Sequence, residues 1–390
     1  MQQGDGNRRR TWGTRQIQML IGLVLAGLLV MAWLRPIATP TTAPATMLPI
    51  RRSDVTQPLD RAFSPEQQRR AMAITVGVHI ENIYNLRLSD ETFNADGWFW
   101  LIWPQGVQEL IEARQTEPKE MVELVNNTLG WDLMLQPDLA EPELRADGMR
   151  YQLYRFSGSF YSDDINLRKY PFNLLSIPII LEARPPAFAL DGSTPVVLQL
   201  DNDVNGLIGG FTDIGAFKDV GVSWQQKAHI YTTKFGTKNR SRFSQAEARI
   251  FYKTPALSSF VQWILPLLIL MLVVFLAPNL EASLGDLRFA IPSTVLLTLV
   301  VMQQTYQGEL KPLPYLTFLD RIYLCAYLIT IALFGLFVWA TNLYAQAERQ
   351  GTSEEEGHAL RQRVKRADSW FQALGALSFV IGGVIAWITS

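Results

Sequence analysis

Residues 287–315, LRFAIPSTVLLTLVVMQQTYQGELKPLPY, combine a long apolar run with serine, threonine and glutamine at intervals. The run matches the length of about 20 residues with which a helix crosses the hydrocarbon core of a bilayer. Polar side chains are costly in that environment unless they face other protein or water. The segment therefore predicts a membrane helix with one chemically distinct face.

The composition of the whole chain also points to a membrane protein. Hydrophobic residues make up 48% of the 390 residues and the formal net charge is -1, which disfavours a soluble enzyme and a nucleic-acid partner. The single cysteine, Cys325, provides no disulfide framework, and His79, His229 and His358 have no metal-ligand spacing. We expect no enzymatic activity, no metal site and no cofactor.

Four further apolar runs accompany this pattern. The first, residues 19–34, follows a cluster of arginines and precedes a Pro/Thr-rich stretch, which predicts a signal peptide or signal anchor in residues 1–35 and a linker in 36–65. Cleavage after this span is open. Together with the opening segment, the other runs predict four transmembrane helices at about 256–278, 287–308, 320–344 and 369–389, with a short cytoplasmic loop at 345–368.

The orientation follows from the lysine and arginine bias of short loops. Basic residues cluster before the first span and in the loop 345–368. Both are cytoplasmic only if residues 66–255 lie outside the cytoplasm, so we expect an extracytoplasmic domain followed by a membrane domain at 256–390.

The region 66–255 has the pattern of a β domain. Residues 72–80 alternate branched apolar side chains with small or polar ones, and further short runs, including 229–235, are separated by Gly, Pro, Asp and Asn. Only residues 107–129 have a helical composition, and Pro118 divides them. The predicted fold class is an α+β membrane protein, with an extracytoplasmic β-sandwich followed by a four-helix transmembrane bundle.

One narrow stripe on the opening segment explains its polar residues. Small and polar side chains at both ends enclose branched apolar ones in the middle, as in a water-filled pore with a hydrophobic constriction. The alternative is a helix–helix contact, where small and hydroxylated residues also gather. The residues of the stripe are Ala290, Thr294, Leu297, Val301, Gln304 and Gly308.

Several motifs together resemble the pentameric ligand-gated ion channels, the Cys-loop receptor superfamily. LPYLTFLD at 313–320 follows the stripe, VGVHIENIYNLRLSDETFNADGWFWLIW at 76–103 resembles the first strands of that family, and FYSDDINLRKYPFN at 160–173 resembles its signature loop. Pro266 in WILPLLILML lies where the first channel helix of the family carries a proline. The loop lacks flanking cysteines, which resembles the bacterial branch, and Asn173 replaces the family's aspartate.

The resemblance implies a homopentamer in a bacterial inner membrane. The stripe would line a central pore that Leu297 and Val301 close as a hydrophobic gate. The partners would be membrane lipid, inorganic ions and a small-molecule agonist, either an amine, an amino acid or a proton. The alternative is a non-conducting receptor that signals through the loop 345–368.

Charged residues near the ends of the pore helix would select the ion. Rings of Asp286, Glu281 or Glu309 would concentrate cations, which is the expected selectivity. Arg288 facing the axis would select anions instead.

The family's agonist site lies between subunits of the β domain and is lined by aromatic side chains. By resemblance, Tyr231 and Phe235 belong to the capping loop, and Trp131 or Tyr154 contributes from elsewhere. Aromatic faces suit an amine, but aromatic residues of this kind serve more often as hydrophobic core or membrane-interface anchors. His79 and His229 permit proton sensing.

Transmission to the pore is expected where the β domain meets the membrane. The central hypothesis is that Pro314 and Tyr315 pack against the loop around Tyr170. The full set of coupling candidates is Tyr84, Asn85, Tyr170, Pro171, Phe172, Asn173, Lys253, Pro314 and Tyr315.

Overall fold

A computed structural model describes residues 55–162, 165–184, 196–201, 207–212, 214–215, 217–233, 242–281, 284–310, 312–351 and 353–390. The predicted signal segment and residues 36–54 of the predicted linker lie outside this part of the chain. The chain divides into two compact units. In its described part, the helical unit comprises Leu167–Asn173 and Ala256–Ser390, and the β unit comprises the residues before Leu167 together with Leu174–Pro255.

The β unit is a sandwich-like arrangement of two sheets. One sheet has the strand order β1-β11-β12-β8-β4, and the other has the order β10-β2-β3-β7-β5, with β6 beside β7 and β9 beside β2. The strands are β1 Val55–Pro58, β2 Met72–Arg87, β3 Thr92–Trp103, β4 Val122–Leu124, β5 Met134–Pro137, β6 Glu143–Leu144, β7 Arg150–Tyr161, β8 Leu174–Ala183, β9 Val196–Leu200, β10 Ile208–Phe211, β11 Lys218–Ile230 and β12 Arg242–Lys253.

The alternation in β2 places its branched side chains in the core. Ile74, Val76 and Ile80 are fully buried, because successive side chains of a strand point to opposite faces. Gly77 lies opposite Trp100 of β3, and a Cβ at this glycine would lie 2.1 Å from the indole ring. The absence of a side chain at Gly77 therefore leaves room for the indole ring of Trp100.

Two predicted elements of the β unit differ from the structure. The helical pattern at 107–129 forms α3, Gln105–Arg114, which ends where Gln115 adopts a left-handed conformation with φ 53°, and a separate 3-10 turn, Pro118–Met121, that begins at the proline expected to divide the segment. The remainder is not helical, and β4 begins at Val122. The strand predicted at 229–235 ends at Ile230, and β11 extends instead toward Lys218 through a largely polar sequence. Two short helices, α1 Leu59–Ala62 and α2 Pro65–Arg70, precede β2.

The helical unit contains four helices that are long and apolar enough to cross a membrane, in keeping with a multi-pass membrane protein. They are α4 Ala256–Asn279, α5 Gly285–Gln307, α6 Phe318–Arg349 and α7 Glu354–Ile388. Helix α6 packs against both α5 and α7, and α4 packs against α5, α6 and α7.

Prolines shape the first two of these helices differently. In α4 the turn Phe260–Ile264 is widened to a π-helix just before Pro266, and the Leu265 N–H donates to the carbonyl of Phe260. A proline lacks the N–H of the regular ladder, which accounts for the irregular turn beside it. Helix α5 continues through Pro292, whose ring lies on the packed face.

The last two helices extend beyond the apolar runs. Most of the segment predicted as the loop 345–368 is helical, and the chain reverses direction only between Arg349 and Glu354. Ser353 caps α7 in a reciprocal arrangement with Glu356, and acidic residues occupy the first turn, where they favour the positive end of the helix dipole. Capping, and not the end of hydrophobicity, therefore sets this boundary.

Candidate functional site

One face of α5 is left uncovered by the other three membrane-spanning helices that the structure describes. Leu297 and Val301 are 66% and 56% exposed, whereas Val295 and Leu299 on the opposite face are buried. All six residues of the predicted stripe are exposed: Ala290, Thr294, Leu297, Val301, Gln304 and Gly308. The structure thus places the whole stripe on the face of α5 that the described residues of its own helical unit leave uncovered.

Hydroxyl groups along α5 bond to their own helix. Thr298 Oγ1 donates to the carbonyl of Thr294 and Thr305 Oγ1 donates to that of Val301, each at 2.9 Å. Such back-bonding satisfies a hydroxyl without a partner on another helix. These polar side chains are therefore compatible with an uncovered face in a membrane.

The charged residues at the N-terminal end of α5 point in different directions. Glu281 and Asp286 are exposed. Arg288 is only 3% exposed, its guanidinium donates to Asp368 Oδ2 at 2.7 Å, and it lies 4.3 Å from the centre of the Phe337 ring. The alternative in which Arg288 faces a pore axis is thus at odds with its position on the packed face.

At the opposite end of α5 the helices surround the loop Leu167–Asn173. Tyr170 is buried, and its ring centre lies 6.2 Å from that of Trp263 in α4 and 6.4 Å from that of Tyr306 in α5. Its hydroxyl donates to Glu309 Oε2 at 3.3 Å. Burial and the neighbouring carboxylate raise the pKa of Tyr170, so the hydroxyl remains a donor at neutral pH.

The same loop is also tied to the start of α6. Tyr315 accepts a hydrogen bond from the Leu167 N–H at 3.2 Å, and the Arg168 guanidinium lies 4.7 Å from the centre of its ring. The Phe318 N–H donates to the carbonyl of Arg168 at 2.7 Å, and the rings of Phe172 and Phe318 are 6.2 Å apart. The structure therefore brings Tyr315 and the loop together.

A hydrogen-bond network that the sequence analysis missed continues from this cluster. The hydroxyl of Tyr306, which is fully buried, donates to Asp320 Oδ1. Asp320 also accepts from the N–H of Thr317, with which it forms the capping box of α6. The motif Thr317-x-x-Asp320 is the sequence signal that predicts the cap, but it does not predict Tyr306 as a partner.

The remaining coupling candidates are divided between the helical unit and the β unit. Asn173 and Pro171 are buried in the loop, whereas Pro314 is exposed. The other three belong to the β unit: Tyr84 and Asn85 lie at an irregularity near the end of β2, where Asn85 has φ 52°, and Lys253 is an exposed residue paired with Leu174.

The aromatic candidates for agonist binding have different environments. Trp131 is 86% exposed, while Tyr154 is 3% exposed and stacks on Phe99 with ring centres 5.1 Å apart. Tyr154 therefore belongs to the core of the β unit. Phe235 lies outside the described residues.

Tyr231 belongs to a polar cluster around a buried carboxyl group. Glu182 is 6% exposed and accepts hydrogen bonds from Gln245 Nε2 at 2.7 Å and from the Tyr231 hydroxyl at 3.2 Å. Burial raises the pKa of Glu182 to about 7, and the two hydrogen bonds oppose that increase. The ring of His229 lies 4.3 Å from that of Tyr231.

Glu182 was not among the predicted functional residues, although a single carboxyl group inside the apolar strand LLSIPIILEA is a visible signal in the sequence. The proton-sensing alternative named His79 and His229 instead. His79 Nε2 lies 3.0 Å from Glu81 Oε2, and His229 Nδ1 lies 3.0 Å from Thr56 Oγ1. Glu182 adds a third titratable group to that alternative.

A comparison of the chain with protein-family models and with curated proteins finds no match.

Proposed function

We propose that the protein is a ligand-gated ion channel that conducts cations. Copies of the chain, five by resemblance to the pentameric channels, surround an axis lined by the exposed face of α5. Leu297 and Val301 form rings that exclude water in the closed state, and Thr294 lines the path beside them.

The observation that carries this proposal is the uncovered face of α5. Six residues that were selected by spacing alone are all exposed, and the same helix buries Val295, Leu299 and Tyr306 against its neighbours. A helix that packs against its own chain on only one side needs a second environment for its other side. A ring of copies supplies one, with water at the polar ends and a dry constriction at the centre.

The loop Leu167–Asn173 supports a gating role. It connects β7 and β8 along the chain, yet it packs among the membrane helices and bonds to Glu309, just beyond the end of α5. A ligand opens the pore only as far as it binds the open arrangement more tightly, so contacts of this loop must differ between the two states.

The agonist class proposed for the β unit is a small amine, an amino acid or a proton. The Glu182 carboxyl group bonds to the hydroxyl of Tyr231, whose ring centre lies 5.3 Å from that of Phe243, and such a pairing of a carboxyl group with aromatic rings suits a cationic group. The raised pKa of Glu182 suits a proton equally well.

Cysteine accessibility in the recorded channel tests the pore assignment. Leu297→Cys and Thr294→Cys, each treated with a positively charged thiol reagent, are expected to lose current when the channel opens. Leu299→Cys is the matched control, because Leu299 is fully buried on the opposite face of the same turn region. The native thiol contributes little background, since Cys325 is buried.

Equal modification of Leu299→Cys and Leu297→Cys would contradict the assignment of the pore-lining face. Binding of an agonist by oligomers that never carry current would favour the alternative of a non-conducting receptor.

A further inference from the structure

The only ion pair between two membrane-spanning helices of the described chain joins Arg288 of α5 to Asp368 of α7. Both side chains are buried, and the nitrogen and oxygen atoms of the bond are 2.7 Å apart. The guanidinium also donates to the carbonyl of Pro278 at 3.4 Å and covers the ring of Phe337. The pair therefore connects α5 to the other three helices of its own chain.

The bond is incomplete as a stabilising contact. Arg288 Nε and Asp368 Oδ1 are buried without a hydrogen-bond partner among the described residues, so the pair is joined by a single bond and not by the bidentate geometry that arginine favours. A buried ion pair with unsatisfied atoms contributes little net stability. The single bond is better explained as a contact that fixes the direction in which the Arg288 side chain points.

The position of Arg288 on α5 makes that direction important. Asp286 is exposed two residues earlier, and two residues of an α-helix correspond to a rotation of about 200°, so these opposite charges lie on opposite faces. Arg288 falls on the packed row that continues through Pro292, Val295 and Leu299.

We propose that Asp368 is a positioning residue that holds the Arg288 guanidinium against α7 and thereby leaves Asp286 as the charged group at the N-terminal mouth of the pore. This inference rests on the proposed channel function and adds a determinant of its ion selectivity. An arginine is charged at every accessible pH, and its long side chain reaches water when a buried partner is removed. Loss of Asp368 therefore releases a positive charge two residues from Asp286, at the N-terminal mouth of the proposed pore.

Ion selectivity in three variants tests the proposal. Reversal potentials are measured across a sodium chloride gradient for Asp368→Asn, Arg288→Gln and the double variant. We expect Asp368→Asn to shift the reversal potential toward the chloride equilibrium potential, and Arg288→Gln to leave it near the parent value. The double variant is expected to return to the parent value, because the released charge is absent.

A matched control on the same helix is Arg366→Gln, which removes an exposed positive charge two residues from Asp368. Its reversal potential is expected to equal that of the parent. A merely structural role for Asp368 predicts that Arg288→Gln fails to restore the selectivity of Asp368→Asn. That failure, or an unchanged reversal potential in Asp368→Asn, would overturn the proposal.

Thermal unfolding of the same purified variants examines the pair without any current. Both single variants are expected to lower the unfolding midpoint, and the double variant is expected to be no worse than the worse single variant, as residues in one contact do not add. Additive losses would overturn the pairing. A parent protein that never conducts, with non-additive midpoints, would overturn the channel function and the selectivity role while leaving the pairing intact.

Discussion

Glu182 is expected to make the stability of the protein fall as the pH rises through neutrality. Its carboxyl group is buried, and its pKa is about 7 in the folded state against an ordinary value of 4.5. Below pH 4.5 the group is protonated in the folded and unfolded states alike. Above pH 7 it is ionised in both, and the folded state then carries a desolvated charge.

The magnitude follows from that difference in pKa. At 1.36 kcal/mol for each pKa unit, the folded state loses about 3 kcal/mol of stability between pH 4.5 and a pH well above 7. The loss begins once the pH exceeds the pKa of Glu182 in the unfolded state, and it is complete once the pH is well above the pKa in the folded state.

The assay is the unfolding midpoint of the full-length purified protein, followed by tryptophan fluorescence at a series of pH values from 4.5 to 8.5. Wild type is expected to lose stability across this range, and Glu182→Gln is expected to lose about 3 kcal/mol less, because the amide carries no charge. Glu143→Gln is the matched control, since Glu143 is an exposed carboxylate of the same β unit and lies on the other sheet. Parallel pH profiles for wild type and Glu182→Gln would refute the reasoning.

Two further predictions concern the C-terminal end of α5. Tyr170→Phe removes the hydroxyl that bonds to Glu309 and keeps the ring, so we expect a cost of about 1 kcal/mol and about a fivefold rise in the half-activating agonist concentration, measured at matched surface expression; an unchanged dose–response curve would count against coupling through this bond. Asp320→Ala leaves the buried Tyr306 hydroxyl without its acceptor and is expected to cost about 1–3 kcal/mol in thermal unfolding. Adding Tyr306→Phe is expected to recover part of this loss, and strictly additive losses would contradict the bond.

Local periodicity accounts for the parts of the fold that the sequence predicts. The alternation in β2 and the stripe on α5 repeat every few residues, so each can be read without knowing what packs against it. The stripe identifies one face of α5, and the structure leaves that face uncovered. The periodicity does not show what lies against this face in an assembly. It therefore fits both a pore-lining face and a helix–helix contact.

Contacts between distant residues account for what the sequence did not predict. Asp368 lies 80 residues from Arg288, and Tyr231 lies 49 residues from Glu182, so neither partner could be chosen from local spacing. The extension of α7 on the N-terminal side of its apolar run was not predicted, for a different reason. Charged residues mark the limit of the membrane-spanning part of a helix, but they do not interrupt the helix. Helix α7 instead begins at its N-terminal cap, Ser353.

The most direct test of the central claim is the current carried by single purified oligomers in a planar bilayer across a sodium chloride gradient, with steps of pH and a panel of small amines and amino acids. The account predicts discrete openings that reverse near the sodium equilibrium potential and that become more frequent in Leu297→Ala, since a smaller side chain loosens the proposed constriction. Silence from verified pentamers of both wild type and Leu297→Ala would contradict it.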